Sequence, residues 1–219
     1  MEKSHRVSLS LILAAAFGLR LFFVWQTLTH PLLQADAGLD TSAYVALADR
    51  VIGGDWGLGP GLYYVSPFYI YVIALFKGLA GSLTAVRVAQ ATFGTFGVFA
   101  VFVTTREWFN ARAAVVAAAF AALCGTFVFT DGLVIQSSVD MGLTACALAA
   151  LTLGVRRAST RWLLIAGLVF GLQTLNRPNV LAAALVVLAL VALRRTPRMA
   201  TWMLCGVLLG LAPATLRNL

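Results

Sequence analysis

The chain has 219 residues, of which 61% are hydrophobic and only 11% are charged, and its formal net charge is +8. A soluble domain carries about 25% charged residues, so this composition excludes an ordinary water-soluble surface and predicts an all-α polytopic membrane protein. The positive charge does not indicate a nucleic-acid partner, because the basic residues stand in short clusters between apolar segments rather than in one stripe.

Seven apolar segments approach the roughly 20 residues that a helix needs to cross a bilayer. The first follows a basic N-terminus without a small-residue cleavage site, so we predict an uncleaved first span. The seven predicted spans lie near residues 8–28, 84–104, 113–130, 138–154, 162–176, 179–193 and 200–216. The cysteines Cys124, Cys146 and Cys205 all lie within apolar segments, and their spacing indicates neither disulfides nor a metal site.

An eighth apolar segment, PFYIYVIALF (67–76), is short, which favours an interfacial or re-entrant helix. If it does not cross, ten of the sixteen Lys and Arg residues fall on one side, which the positive-inside rule makes the cytoplasm. If it crossed, these clusters would be split between the two faces. The ten are Lys3, Arg6, Arg106, Arg112, Arg156, Arg157, Arg161, Arg194, Arg195 and Arg198.

This topology makes residues 29–85 one outer loop, far longer than the usual connection of about 4–6 residues. Its six aromatic residues between 56 and 71 argue against disorder. Helical spacing of apolar residues predicts one juxtamembrane helix near 41–52, and a second is predicted near 67–79. The stretch GGDWGLGPG between them predicts a turn and lacks the lysine of a phosphate-binding loop.

Ionisable residues at the outer ends of the spans are costly in a membrane and mark either a site or a pairing. For Asp140 both interpretations stay open, because an Asp140–Arg pair could also simply hold helices together. Arg20, which stands alone in the first span, is interpreted as structural. The outer-end residues are Arg87, Asp131, Asp140, Arg177 and Arg217.

Five stretches occur in an order that resembles the C-type glycosyltransferase superfamily, and within it the protein O-mannosyltransferase-like family 39 and relatives such as aminoarabinose transferase. They are LDTSAYVALADRVIGGD, YYVSPFYIYVIALFKG followed by AVR, TDGLVIQSSVDMGL, GLQTLNRPNVL and APATLRNL. The resemblance implies a first outer loop with two juxtamembrane helices, Asp40 as catalytic base, and Asp140 as the second acid. It also implies that the donor is a polyprenyl-phosphate sugar.

The resemblance further matches Tyr64, Ser66 and Pro67 to a Pro-containing motif that helps admit the lipid phosphate. The chain departs from the pattern there, since it has VSPF where many members have a basic residue and paired prolines. It also has Thr41 where a Glu often follows the loop acid. The candidate phosphate ligands are Arg177, then Arg87 and Arg217.

Such residues suit an inverting sugar transfer, because guanidinium groups stabilise a leaving phosphate and a carboxylate accepts the proton of an attacking hydroxyl. The acceptor would be a lipid, glycan or protein at the outer face of the membrane. The protein itself would be surrounded by the lipids of a bacterial inner (plasma) membrane. No ligand cluster requires a metal, although Asp36, Asp40 and Asp140 could gather a divalent ion. Residues 1–219 are expected to form one module of a longer protein.

Two other functions stay open. A transporter or flippase of lipid-linked sugars would also use outer-face arginines, but it should show internal repeats and helices broken near the bilayer midplane. A non-catalytic membrane scaffold is mildly favoured by the missing Glu beside Asp40.

Overall fold

The computed structural model describes residues 3–30, 39–59, 63 and 65–218, and within these ranges every regular element is an α-helix. The all-α class is therefore confirmed for the described residues. The helices are α1 (Lys3–Thr29), α2 (Leu39–Ile52), α3 (Pro67–Ala80), α4 (Leu83–Trp108), α5 (Ala111–Leu123), α6 (Gly125–Gly132), α7 (Ser137–Arg156), α8 (Thr160–Asn176), α9 (Val180–Arg194) and α10 (Pro197–Arg217).

Four helices, α1, α4, α7 and α10, are long and apolar enough to cross a membrane. The pair α5 and α6 forms a fifth candidate, but it is bent by 50°. The segment predicted as one span over 113–130 is therefore broken at Cys124, whose backbone is extended (φ −65°, ψ 106°). The count of seven spans stays a prediction, since it also needs α8, with 17 residues, and α9, with 15 residues, to cross.

Helices α2 and α3 lie where the two juxtamembrane helices were predicted, while their position at the membrane surface stays a prediction. Pro67 begins α3, where its missing N–H costs nothing, and Gly81 ends it in the left-handed conformation at φ 68°. One apolar cluster fastens both helices to α4 and α7. Its buried members include Tyr44, Ala48, Val51, Tyr69, Ile70, Ile73, Val86, Val139 and Leu143.

The turn after α2 is confirmed over residues 53–59. Gly54 and Gly59 have φ values of 100° and 84°, which a residue with a Cβ rarely adopts. Asp55 accepts hydrogen bonds from Arg50 Nε at 3.0 Å and from the Gly59 amide at 3.2 Å, so the turn is closed by its own side chains.

Helices α8 and α10 run parallel and touch through their backbones. A Cβ built on Gly167 would lie 2.0 Å from the Met203 carbonyl oxygen, and one on Gly206 would lie 2.1 Å from the Leu164 carbonyl oxygen. Gly171 and Gly210 repeat the contact one turn further along. Such pairs of small residues allow close helix association in membranes. The contact brings the last turns of α8 and α10 to the same end of the bundle.

Arg20 and Asp131 form a buried ion pair between α1 and α6, with Arg20 Nε 2.6 Å from Asp131 Oδ2 and side-chain exposures of 1% and 2%. Arg20 Nη1 also donates to the Ala16 carbonyl oxygen at 3.1 Å. Gly94 leaves the space for this pair, because a Cβ there would lie 2.0 Å from Asp131 Oδ2. The contact agrees with the structural interpretation of Arg20.

The bundle has two chemically different ends. At the basic end, Arg157 pairs with Glu107, and the Arg156 guanidinium lies 5.3 Å from the centre of the Trp108 ring. Trp108 Nε1 also donates to Thr152 Oγ1 at 3.1 Å. At the opposite end, here called the site end, lie α2, α3, the first turn of α7 and the last turns of α8 and α10.

Candidate functional site

Asp140 lies in the first turn of α7 and has both carboxylate oxygens engaged by the end of α8. Asn176 Nδ2 donates to Asp140 Oδ1 at 2.6 Å, and Arg177 Nε donates to Oδ2. Arg177 Nη2 donates to Ser137 Oγ at 3.1 Å. Two of the expected site residues, Asp140 and Arg177, are thus in direct contact.

The Asp140–Arg177 pair is not sealed inside the protein. The Arg177 side chain is 44% exposed, whereas that of Asp140 is 14% exposed. Within the described part of the chain, Arg177 Nη1 makes no hydrogen bond, so this guanidinium still has N–H groups for a bound anion.

Asp40 lies in the first turn of α2 with its side chain exposed. Its carboxylate makes no hydrogen bond or ion pair with any residue that the structure describes. The neighbouring contacts hold the helix instead: Thr41 Oγ1 donates to the Val134 carbonyl oxygen at 3.0 Å, and Tyr44 Oη donates to Gln136 Oε1 at 3.0 Å. Thr41 therefore anchors α2 to the connection between α6 and α7.

Tyr44 is close enough to three charged side chains for each of them to affect the pKa of its phenol. Burial raises the pKa of its phenol above the usual value; the charge of Asp40 raises it further, Arg177 opposes this shift and Asp140 adds to it. Asp40, Asp140 and Arg177 thus all lie at the site end, near enough to influence the pKa of this one phenol.

A cavity of about 480 Å³ lies beside this cluster, between α3 and the ends of α8 and α10. Its lining is mostly apolar and comprises Trp56, Tyr63, Pro67, Phe68, Tyr71, Val72, Leu75, Leu172, Leu175, Pro213, Ala214 and Arg217. Because Leu175 stands two residues before Arg177, the cavity approaches the charged cluster along α8.

Arg217 closes the polar side of this cavity. Its Nε and Nη2 donate to the Gly57 carbonyl oxygen at 3.0 and 2.6 Å, and Nη2 also donates to that of Gly59. Its guanidinium lies 4.5 Å from the centre of the Tyr63 ring. The turn after α2 is therefore tied to the end of α10.

The remaining candidates occupy different positions. Arg87 is buried, 4% exposed, near the start of α4 beside the cluster that holds α3, and it does not line the cavity. Pro67 lines the cavity, and Ser66 precedes α3 without a side-chain capping bond. Tyr64 lies outside the described residues.

The expected option of a divalent metal involved Asp36, which also lies outside the described residues. Among the residues that are described, no group of three His, Cys, Asp or Glu side chains is close enough to hold a metal ion.

Three contributors were not identified from the sequence as site residues: Asn176, Gln136 and the hydroxyl of Tyr44. Asn176 directly precedes Arg177 in LNRPNVL, which is the one local signal that could have suggested it. Helical spacing places Tyr44 on the apolar face of α2, but it does not reveal where the phenol tip lies.

Comparison with known families gives one match. Residues 64–215, more than half of the chain, match the family model described as dolichyl-phosphate-mannose-protein mannosyltransferase. No curated protein and no solved structure matches the chain.

Proposed function

The chain belongs to the dolichyl-phosphate-mannose-protein mannosyltransferase family, a family of membrane glycosyltransferases, and on that premise we propose that it moves one sugar from a polyprenyl-phosphate donor to an acceptor at the outer face of the membrane. The observation that carries the proposal is the exposed Arg177 guanidinium, held by Asp140 at the end of the bundle that also carries the exposed Asp40 and an apolar cavity.

In this proposal the cavity between α3, α8 and α10 holds the first part of the prenyl chain. Its lining by Phe68, Val72, Leu75 and Leu172 suits a hydrocarbon. The phosphate would then lie at the polar end, within reach of Arg177 and Arg217. Arg217 already donates to two backbone carbonyls, so Arg177 has the larger free donor capacity for the phosphate.

Asp40 is the proposed catalytic base. As the acceptor hydroxyl oxygen bonds to the anomeric carbon, the carboxylate takes the hydroxyl proton. The bond from the anomeric carbon to the phosphate oxygen breaks, and its electron pair leaves with the phosphate. An exposed carboxylate without a partner among the described residues is free to accept that proton, whereas Asp140 has both oxygens engaged.

Asp140 is therefore proposed as a positioning residue. It fixes the Arg177 guanidinium through Nε and leaves the outer edge of that group for the phosphate. Arg87 stays a predicted ligand, although its side chain is buried and does not line the cavity. The charge clusters of the basic end support the placement of this site at the outer face.

The test compares Asp40→Asn with Asp49→Asn, which removes a second exposed carboxylate from the same helix. Asp49 pairs with Lys77 at 2.6 Å on the surface, where an ion pair contributes about 0–1 kcal/mol. We expect Asp40→Asn to lower the rate of sugar transfer by about 10²–10⁴-fold, the usual contribution of a general base. Asp49→Asn should keep the rate of the wild type.

Transfer is measured in membranes with a panel of polyprenyl-phosphate sugars, together with retention of the donor lipid on the purified protein. Full activity of Asp40→Asn would overturn its role as base. A wild-type protein that retains the donor without any turnover would favour the scaffold, and movement of the donor between leaflets without transfer would favour the flippase.

A further inference from the structure

A second groove lies at the basic end, far from the candidate active site. It has a volume of about 460 Å³ and runs between α9 on one side and α4 and α7 on the other. Helix α9 packs on α8 and α10, which leaves this gap on its far side. The groove is lined by apolar side chains such as Leu151, Val155 and Leu190 along about two turns of helix.

Two guanidiniums stand at one end of this groove. Arg194 and Arg195, at the end of α9, both belong to its lining and both are exposed. Within the described residues, neither of the two guanidinium groups makes an ion pair or a hydrogen bond. Trp108 lies across from them with its ring edge tied to Thr152, in the manner of aromatic residues at a membrane interface.

The positive charge at the basic end indicates which kind of molecule the groove can bind. Glu107 is the one acidic side chain that the described residues place here, and it already pairs with Arg157. A second copy of the chain docking through this face would bring the same arginines together, and like charges repel. An apolar groove with a cationic mouth instead matches a molecule with a hydrocarbon tail and a negative head.

We propose that this groove binds a negatively charged phospholipid from the leaflet at the basic end. One acyl chain lies against Leu151, Val155 and Leu190, and the phosphate accepts hydrogen bonds from Arg194 and Arg195. This inference does not depend on the proposed sugar transfer, because the groove and the candidate active site lie at opposite ends of the bundle.

The test is native mass spectrometry of the full chain, freed of its lipids and incubated with equal amounts of phosphatidylglycerol and phosphatidylcholine that carry the same acyl chains. We expect the wild type to retain phosphatidylglycerol in preference. Each guanidinium near an anionic headgroup strengthens attraction about 5-fold. The double variant Arg194→Gln/Arg195→Gln should therefore lower that preference by roughly 10-fold or more.

Two matched controls distinguish binding in this groove from non-specific attraction of anionic lipid to the basic end. Arg198→Gln removes an exposed arginine of the same end that does not line the groove, and it should keep the preference. Leu190→Trp fills the groove and should reduce adducts of both lipids, whereas Leu193→Trp changes an exposed residue outside it and should not.

Equal retention of both lipids by the wild type would overturn the proposal. If the double variant kept the preference for phosphatidylglycerol, or if Arg198→Gln lost it equally, the preference would come from the overall positive charge of this end and not from a site at Arg194 and Arg195. If Leu190→Trp and Leu193→Trp retained equal amounts of lipid, the lipid would not be bound in the groove. Circular dichroism and thermal unfolding of each variant verify that the fold is kept.

Discussion

At the residue scale, the contacts of Asp140 are compatible with both interpretations that its sequence left open. Its pair with Arg177 joins α7 to α8, and the same contact orients a guanidinium that is 44% exposed. A purely structural pair inside a membrane protein would be buried, as Arg20 and Asp131 are, with exposures of 1% and 2%. The difference in exposure is the physical reason why we propose Arg177, and not Arg20, as a ligand of the donor phosphate.

The replacement Arg177→Gln tests this assignment. A hydrogen bond to a charged group contributes about 1.5–3 kcal/mol, so the variant should bind a polyprenyl phosphate roughly 10- to 100-fold more weakly. Lipid titration followed by native mass spectrometry measures this. The control is Arg112→Gln, which removes an exposed arginine at the basic end of the bundle. Equal binding by the wild type and Arg177→Gln would remove Arg177 from the donor site.

The Arg20–Asp131 pair should act through stability alone. Removing one partner of a buried pair costs about 3–5 kcal/mol, because it leaves an uncompensated charge, while replacing both with apolar residues is often neutral. Arg20→Leu should therefore lower the unfolding midpoint sharply, and Arg20→Leu/Asp131→Leu should recover most of the loss together with transfer activity. A stable double variant without activity would show that the pair has a functional role.

The sequence pointed to some of these residues but not to their partners, because the partners are far apart in the chain. Ionisable side chains in and beside apolar segments stand out in a sequence, so Asp140, Arg20 and Arg177 were singled out, whereas Asp40 was named through the family resemblance. Their partners were harder to find, because Arg20 and Asp131 are 111 residues apart and no local pattern links them. The engagement of Arg217 with Gly57 spans 160 residues and was missed for the same cause.

At the element scale, the loop helices α2 and α3 were predictable because local signals agree there. Apolar spacing, Pro67 at one helix start and glycines in the turn all favour the same boundaries. The bend at Cys124 was not predictable, since the hydrophobic run continues through it and Gly125 follows only after the break. The carbonyl groups of a break need partners that only the folded bundle supplies.

The glycine contact between α8 and α10 predicts a specific sensitivity. Gly206→Ala would place a Cβ 2.1 Å from the Leu164 carbonyl oxygen, and backbone cannot move aside as a flexible side chain can. We expect a loss of about 1–3 kcal/mol in unfolding free energy. Donor binding should weaken as well, because the contact brings together the ends that carry Arg177 and Arg217.

The matched control for Gly206→Ala is Gly18→Ala in α1, where nothing lies within 4 Å of the added Cβ. Alanine is favoured over glycine in a helix interior by about 0.5–1 kcal/mol, so this variant should be neutral or slightly more stable. Thermal unfolding in detergent compares the two. Equal stability of the two variants would show that α8 and α10 are not held by backbone contact.

At the scale of the whole molecule, the number of spans depends on α8 and α9. With about 1.5 Å per residue, they measure roughly 26 and 22 Å, below the 30 Å of a typical hydrocarbon core. Yet Asn176 at the end of α8 reaches Asp140 at the start of α7, and Arg194 at the end of α9 returns to the groove beside Trp108. Both helices therefore extend from one end of the bundle to the other, which supports seven crossings.

Single cysteines in a chain without Cys124, Cys146 and Cys205 test this topology. Seven spans predict that Ala46→Cys and Asn179→Cys, at the site end, react with a membrane-impermeant maleimide on intact cells. Arg112→Cys and Arg198→Cys, at the basic end, should react only after permeabilisation; all four positions are exposed. Labelling of the Ala46 and Arg198 variants from one side would require an even number of crossings between them, which contradicts seven spans. A protected Asn179→Cys, with the other three as expected, would make α8 and α9 a re-entrant pair and place Arg177 inside the membrane, where a water-side acceptor could not reach it.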